Sequence, residues 1–273
     1  MQAFFLPAAQ GERFCVFYAP APGQPQRGSV VYIHPLAEEM NRCRRMASLQ
    51  ARALADAGFA VLQIDLLGCG DSTGDFADAS WDAWLDDIDL ARQWLATRYA
   101  GPQWLWGARA GCLLAAQSAA RTPDVSLRLL LWQPVVSGQQ HLQQFLRLRQ
   151  ISELVQGAGK VGGTQALLQQ LEQGQTVEVA GYAMGPALAQ GLARATLDHV
   201  GGAPQVLCVE VVAPAQAQAY VALPALANCM QAWAAAGTPT RALGVAGEPF
   251  WQVPEAQRCA ELIQATVTAL VAG

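Results

Sequence analysis

Short, almost wholly apolar runs alternate along the chain with longer stretches in which apolar residues recur every three or four positions. The first runs differ from the rest. Residues 2–6 and ERFCVFY (12–18) alternate in polarity about a turn-like AAQG, which predicts an antiparallel hairpin, and PAPGQPQRG then reads as a surface loop. SVVYIHP (29–35) and AVLQIDLLGCG (60–70) are continuous apolar runs, the first closing on His-Pro and the second on glycines. RRMASLQARALADAG, between them, has helical spacing and a glycine stop. Strand, helix and strand in that order form a crossover unit, so the two strands are parallel.

The alternation continues with Ser80 placed to cap the helix WDAWLDDIDLARQWLATRY, then the strand QWLWG, the helix AGCLLAAQSAART and the buried strand LRLLLWQP. At Ser137-Gly138 the rhythm breaks. From about 139 to 198 the chain is glutamine-rich and lacks strong strands; QQHLQQFLRLRQISELVQ sets Leu142, Phe145 and Leu146 on one face, and GAGKVGG reads as a flexible break. Strand character returns with QVLCVEVV (205–212) and TRALGVAG, each followed by helical sequence, the last helix starting near 254. This order predicts an α/β fold with a mostly parallel central sheet flanked by helices. Its core comprises residues 1–138 and 199–273, with a helical cap inserted at 139–198.

Composition narrows the function classes. The 273 residues are 52% hydrophobic and 14% charged, against about 25% charged in ordinary globular domains, which points to a surface partly covered by a protein partner or a second copy. A net charge of −4 without a basic cluster argues against nucleic acid. Seven cysteines without a CxxC pair suggest neither a disulfide framework nor a metal site, and fit a reducing cytoplasm. No cofactor motif stands out. The start, MQAFFLPAAQGER, does not read as a signal peptide, and no apolar run reaches the roughly 20 residues of a membrane span.

Chemistry is expected where the strands end. Three segments should converge there: HPLAEEMNR (34–42), DLLGCGDSTG (65–74) and LWGARAG (105–111). In the last, Gly107 and Gly111 flank a strand-to-helix junction with the spacing of G-x-S-x-G, but Arg109 stands where the serine would be. Two glycines there also serve simple close packing of strand on helix. With GEPFW (247–251), these segments resemble the α/β-hydrolase superfamily across nearly the whole chain. Within it they are most similar to the exosortase A system-associated hydrolase 2 family, found beside bacterial exopolysaccharide and protein-sorting genes.

The resemblance implies a hydrolase of an ester, thioester or other acyl substrate, yet its catalytic positions do not carry over. Arg109 is permanently protonated and has no lone pair for acyl transfer. The strand that should precede the acid runs into APAQAQAY, and GEPFW offers Phe250 and Trp251 where the base should lie. The remaining nucleophile candidates are Cys112, which also suits a core position, and Ser72 near Asp65 and Asp71. His34 is placed to brace its loop or, less simply, to act as a base; His141 and His199, at the cap edges, are expected to be exposed. The N–H groups of Leu36 and Ala110 remain free to meet an oxyanion, which Pro35 lacks. Arg109 at a helix start suits a small anionic ligand, or an internal ion pair if Glu38 or Glu39 folds onto it; only the first implies an open cavity, with Trp251 as its wall. The sequence thus reads as a catalytically degenerate hydrolase with a binding or accessory role. A hydrolase using an unconventional nucleophile is the alternative.

Overall fold

The computed structural model describes residues 1–121, 126–155, 163–200, 202–253 and 258–272. Within these the chain runs β1 (Gln2–Pro7), β2 (Glu12–Tyr18), β3 (Gly28–Ile33), α1 (Glu38–Asp56), β4 (Phe59–Ile64), α2 (Trp81–Ala96), β5 (Gln103–Ala108), α3 (Gly111–Arg121) and β6 (Leu127–Trp132). The next segment holds α4 (Gly138–Val155), α5 (Thr164–Glu172), β7 (Val177–Val179), β8 (Tyr182–Met184) and α6 (Pro186–Arg194). It is followed by β9 (Val206–Val212), α7 (Pro214–Ala217), α8 (Pro224–Ala235), β10 (Thr240–Ala246) and α9 (Ala260–Ala272).

Eight strands form one sheet in the order β1-β2-β4-β3-β5-β6-β9-β10. The hairpin strands β1 and β2 are antiparallel, β2 runs antiparallel to β4, and every later pairing is parallel. β3 and β5 are buried at every position because helices cover both faces, which is why they read as unbroken apolar runs rather than alternating ones. Val31, Ile33, Leu105 and Leu129 point to the face packed by α2, α3 and α8, whereas Val30, Trp104, Trp106 and Leu130 meet α1 and α9. No described helix is long and apolar enough to cross a membrane.

The chain leaves β3 for β4 on one side and later returns to β5 on the other. Such a reversal opens a crevice at the carboxyl ends of those strands. The glycines of LWGARAG fit it: a Cβ on Gly107 would strike the backbone of Gly111 and Cys112, and one on Gly111 would strike the carbonyl oxygens of Ile33 and His34. The base of the β6–β9 segment is closed by a bridge between Ser137 and Thr196, and Gly191 of α6 lets that helix lie against Trp81 of α2.

Three sequence expectations need correction. Helix α1 begins at Glu38, six residues before Arg44, because two acidic residues in its first turn complement the partial positive charge of the helix start. The segment after β6 includes a small hairpin: Val177 and Val179 alternate about Ala180-Gly181, whose φ angles of 51° and 84° make the tight turn such strands prefer. The final helix starts at Ala260, and residues 254–257 lie outside the described residues, as do 157–162 of GAGKVGG.

Because the obstacle at Gly111 is backbone rather than a movable side chain, Gly111→Ala is expected to destabilise the fold by about 2–3 kcal/mol. Urea denaturation checks this; an unchanged midpoint would show that β3 and α3 are not held at contact distance.

Candidate functional site

The backbone at the elbow is strained. Arg109 has φ 54°, its N–H donates to the Trp132 carbonyl at 2.9 Å, and its own carbonyl accepts from Cys112 at 3.0 Å. Among the described residues only four non-glycines have positive φ, and three of them, Ala37, Arg109 and Gln133, follow β3, β5 and β6 at the same sheet end. Each such conformation costs on the order of 1–3 kcal/mol and persists only when its surroundings hold it. Gln133 is held by two contacts: its N–H donates to the Val209 carbonyl, and its side chain accepts from Val211. Leu36 and Ala110, both buried, donate no hydrogen bond from their backbone N–H groups among the described residues.

The Arg109 side chain crosses to α1. Its Nε lies 3.2 and 3.3 Å from the two carboxylate oxygens of Glu39, its Nη2 lies 3.2 Å from Oε1, and Nη1 reaches the Gln133 carbonyl at 3.5 Å. Glu39, not Glu38, therefore makes the pair. Its side chain is 12% exposed and that of Arg109 16%, so the pair is largely dry. Burial raises the Glu39 carboxyl above the usual range, with the Arg109 charge opposing. Burial likewise raises Glu38, whose Oε2 has no hydrogen-bond partner. The guanidinium of Arg109 also lies 5.3 Å from the ring of Trp251, and Arg42 donates to the Trp251 carbonyl at 3.3 Å. Trp251 in turn packs edge-on against Phe250.

The ion pair does not close the space. A cavity of about 380 Å³ lies beside it, lined by Glu38, Glu39, Arg42 and Arg109 from the core and by His141, Gln144, Phe145 and Leu148 of α4. His141 was expected at the surface, but it is 7% exposed, because it shares a helix face with Phe145 four residues on and turns inward with it. Its Nε2 is 3.9 Å from Oε2 of Glu39, and a side-chain hydrogen bond with Gln144 opposes the effect of burial on the ring. Burial, aided by the Arg109 charge, pushes its pKa down to about 3. His199 is exposed.

The other sequence candidates are tied into structure. Nδ1 of His34 donates to the Pro35 carbonyl at 2.7 Å while Nε2 accepts from the Leu66 N–H at 3.3 Å, so both ring nitrogens are used and burial keeps the ring neutral. The Ser72 hydroxyl donates to the Asp65 carbonyl and accepts from the Phe14 N–H at 2.9 Å. Cys112 is fully buried, its thiol lies 3.2 Å from the Gly107 carbonyl, and burial raises its pKa far above the ordinary thiol value. Asp65 is held by Arg44 at 3.0 Å, and the Asp71 N–H donates to it at 3.2 Å. On β9, Glu210 accepts from the hydroxyl of Tyr220. Arg42, Gln133 and Gln144 are the site residues that sequence reasoning passed over, and it set His141 at the surface although the helical spacing to Phe145 pointed inward.

A strained turn after a central parallel strand, glycines before and after it, and a helix starting from it are matched in sequence. Residues 24–161, from the approach to β3 past the end of α4, match the profile of the serine aminopeptidase S33 family. The chain is an α/β hydrolase of that family. The matched stretch contains the elbow but stops before β9 and β10, after which an acid and a base would stand. No curated protein matches this α/β hydrolase in sequence. Among solved structures, Est1E from Butyrivibrio proteoclasticus with ferulic acid bound is similar at a TM-score of 0.66 and 14% identity, covering 99% of this chain and 97% of that one. Proline iminopeptidase from Mycobacterium smegmatis gives 0.58 and 16%, covering 98% and 97%. The thioesterase domain from the curacin biosynthetic pathway gives 0.56 and 16%, covering 99% of both. At such identities the likeness is one of fold.

The buried neutral His141 links stability of this α/β hydrolase to pH. The unfolded chain protonates it at the ordinary imidazole value, whereas the folded protein resists down to about 3. Its contribution is therefore intact above the ordinary value and is lost as pH falls below it. Urea denaturation from about pH 7 to about pH 4 is expected to show declining stability, with a shallower decline in His141→Gln. Identical slopes would assign the acid sensitivity to other groups, His34 first.

Proposed function

We propose that this α/β hydrolase is catalytically degenerate and acts as a binding protein for a small anionic or acyl ligand held at Arg109. One observation carries this reading: the side chain on the nucleophile turn is a guanidinium engaged with Glu39, which has no electron pair to offer a carbonyl carbon. The other candidate nucleophiles are occupied elsewhere, Cys112 as a buried thiol and Ser72 as a two-way hydrogen-bond bridge. What remains suits recognition. Arg109 and Arg42 supply positive charge, the N–H groups of Leu36 and Ala110 are free donors, and Trp251 and Phe145 give apolar walls. Residues 139–198 serve as the cap over this site on a core of 1–138 and 199–273.

The resemblance of its motifs to the exosortase A system-associated hydrolases supports reading the protein as a cytoplasmic accessory component of a bacterial exopolysaccharide or exosortase system. Its low charge content favours a protein partner or self-association. Purified protein incubated with short-chain p-nitrophenyl esters and thioesters is expected to release product no faster than buffer. Turnover that disappears in Cys112→Ala or Ser72→Ala would overturn the proposal and establish an unconventional nucleophile.

A further inference from the structure

The edge of the sheet farthest from the hairpin ends on β10, and it is open. β6 and β9, inside the sheet, are buried at all but one position each, whereas β10 keeps surface at every position except Val245. The Val206 N–H donates to the Pro239 carbonyl and the Gly247 N–H to the Val212 carbonyl. In a parallel ladder that phase turns Arg241, Leu243 and Val245 to β9 and points the N–H and C=O groups of Ala242 and Gly244 away from it. Among the described residues no segment takes them. Sheet edges are ordinarily guarded by lysine, proline or a bulge. The opposite edge has such a guard, Pro7 closing β1 beside Glu12, but β10 runs in unbroken register from Thr240 to Ala246 with neither lysine nor proline.

The surface beside that edge is almost free of charge. Arg241 is the only charged residue between Glu210 and Glu248, in a chain that is 14% charged overall. Of residues 211–247, 31 reach the surface, Val221 and Leu223 with 83% and 66% of their area. A stable interface takes about 20–30 residues a side, so the patch is large enough for one. Electrostatics selects the partner. Two copies of a chain with net charge −4 repel one another, and this neutral face is where they approach at least cost. A charged partner would find only Arg241 to pair with.

Taking the low charge content as the mark of a covered surface, we propose that β10 pairs antiparallel with β10 of a second copy about a two-fold axis at Leu243, joining the two eight-stranded sheets. In that register Ala242 and Gly244 of one copy exchange N–H and C=O groups with Gly244 and Ala242 of the other, and Leu243 stands opposite its own copy in the closer, non-hydrogen-bonded pairing. The two Arg241 side chains lie four residues apart along the ladder, about 14 Å, where salt screens their repulsion. Val221 and Leu223, on the loop that carries Tyr220 over Gly244, extend the apolar contact on one face of the joined sheet.

Sedimentation equilibrium of the full chain tests this. The wild type is expected at twice the mass of one chain at about 100 μM, above the micromolar limit of interfaces this size. Leu223→Lys and Leu243→Lys are each expected to weaken the dimer about tenfold or more, and Leu223 is exposed enough that its replacement leaves the fold intact. Phe5→Lys, at the β1 edge, should leave the dimer unchanged. Leu243→Cys is expected to form an interchain disulfide on mild oxidation, visible on a non-reducing gel, since the seven native cysteines are buried. A dimer that both lysine variants leave intact, or one that Phe5→Lys dissociates, would overturn the assignment to β10 and leave self-association standing. A wild type that remains a single chain at that concentration would overturn self-association altogether and leave the open edge to a different protein.

Discussion

The contact between Arg109 and Glu39 is the constraint on which the rest of the site depends. It joins the first turn of α1 to the turn between β5 and α3, the two segments that frame the crevice at the sheet's carboxyl edge. A largely buried arginine needs a partner, and a largely buried carboxylate needs one as much; removing either would leave the other charged in a dry place, at a cost of about 3–5 kcal/mol when burial is complete. Arg109 stands at a positive φ that a side chain of its size rarely adopts, with its N–H and carbonyl bonded to Trp132 and Cys112. In a serine hydrolase that strain presents a nucleophile. Here the same backbone presents a cation.

From this follows the character of the surrounding space. The ion pair satisfies the guanidinium without filling the crevice, so a cavity of about 380 Å³ persists between the core and α4. Its walls mix the apolar surface of Leu36, Phe145, Leu148 and Trp251 with the charged side chains of Glu38, Arg42 and Arg109. Trp251, standing after β10 where a catalytic base would be expected, stacks on the cation instead and completes the wall.

Much of this was legible from the chain, for reasons of geometry. Strands covered on both faces leave continuous apolar runs, so β3, β4, β5, β6 and β9 announced themselves, and Gly107 and Gly111 marked a junction where no Cβ fits. What escaped notice depended on register or on backbone angle. Glu38 and Glu39 are adjacent, and which of them meets Arg109 is decided by the 100° between neighbouring helical residues once the helix start is known; reading that start at Arg44 hid the answer. His141 was assigned to the surface from its place at the edge of the β6–β9 segment, although its spacing to Phe145 pointed inward. The positive φ of Gln133 and Ala37 has no sequence signature, since neither is glycine, and both arise from contacts between distant elements.

The central claim is that no group lining this crevice forms a covalent bond with an acyl-like electrophile. Intact-mass spectrometry after incubation with a fluorophosphonate probe measures it directly. The account predicts an unmodified chain; an adduct mapped to any residue of the Arg109 cavity would contradict it.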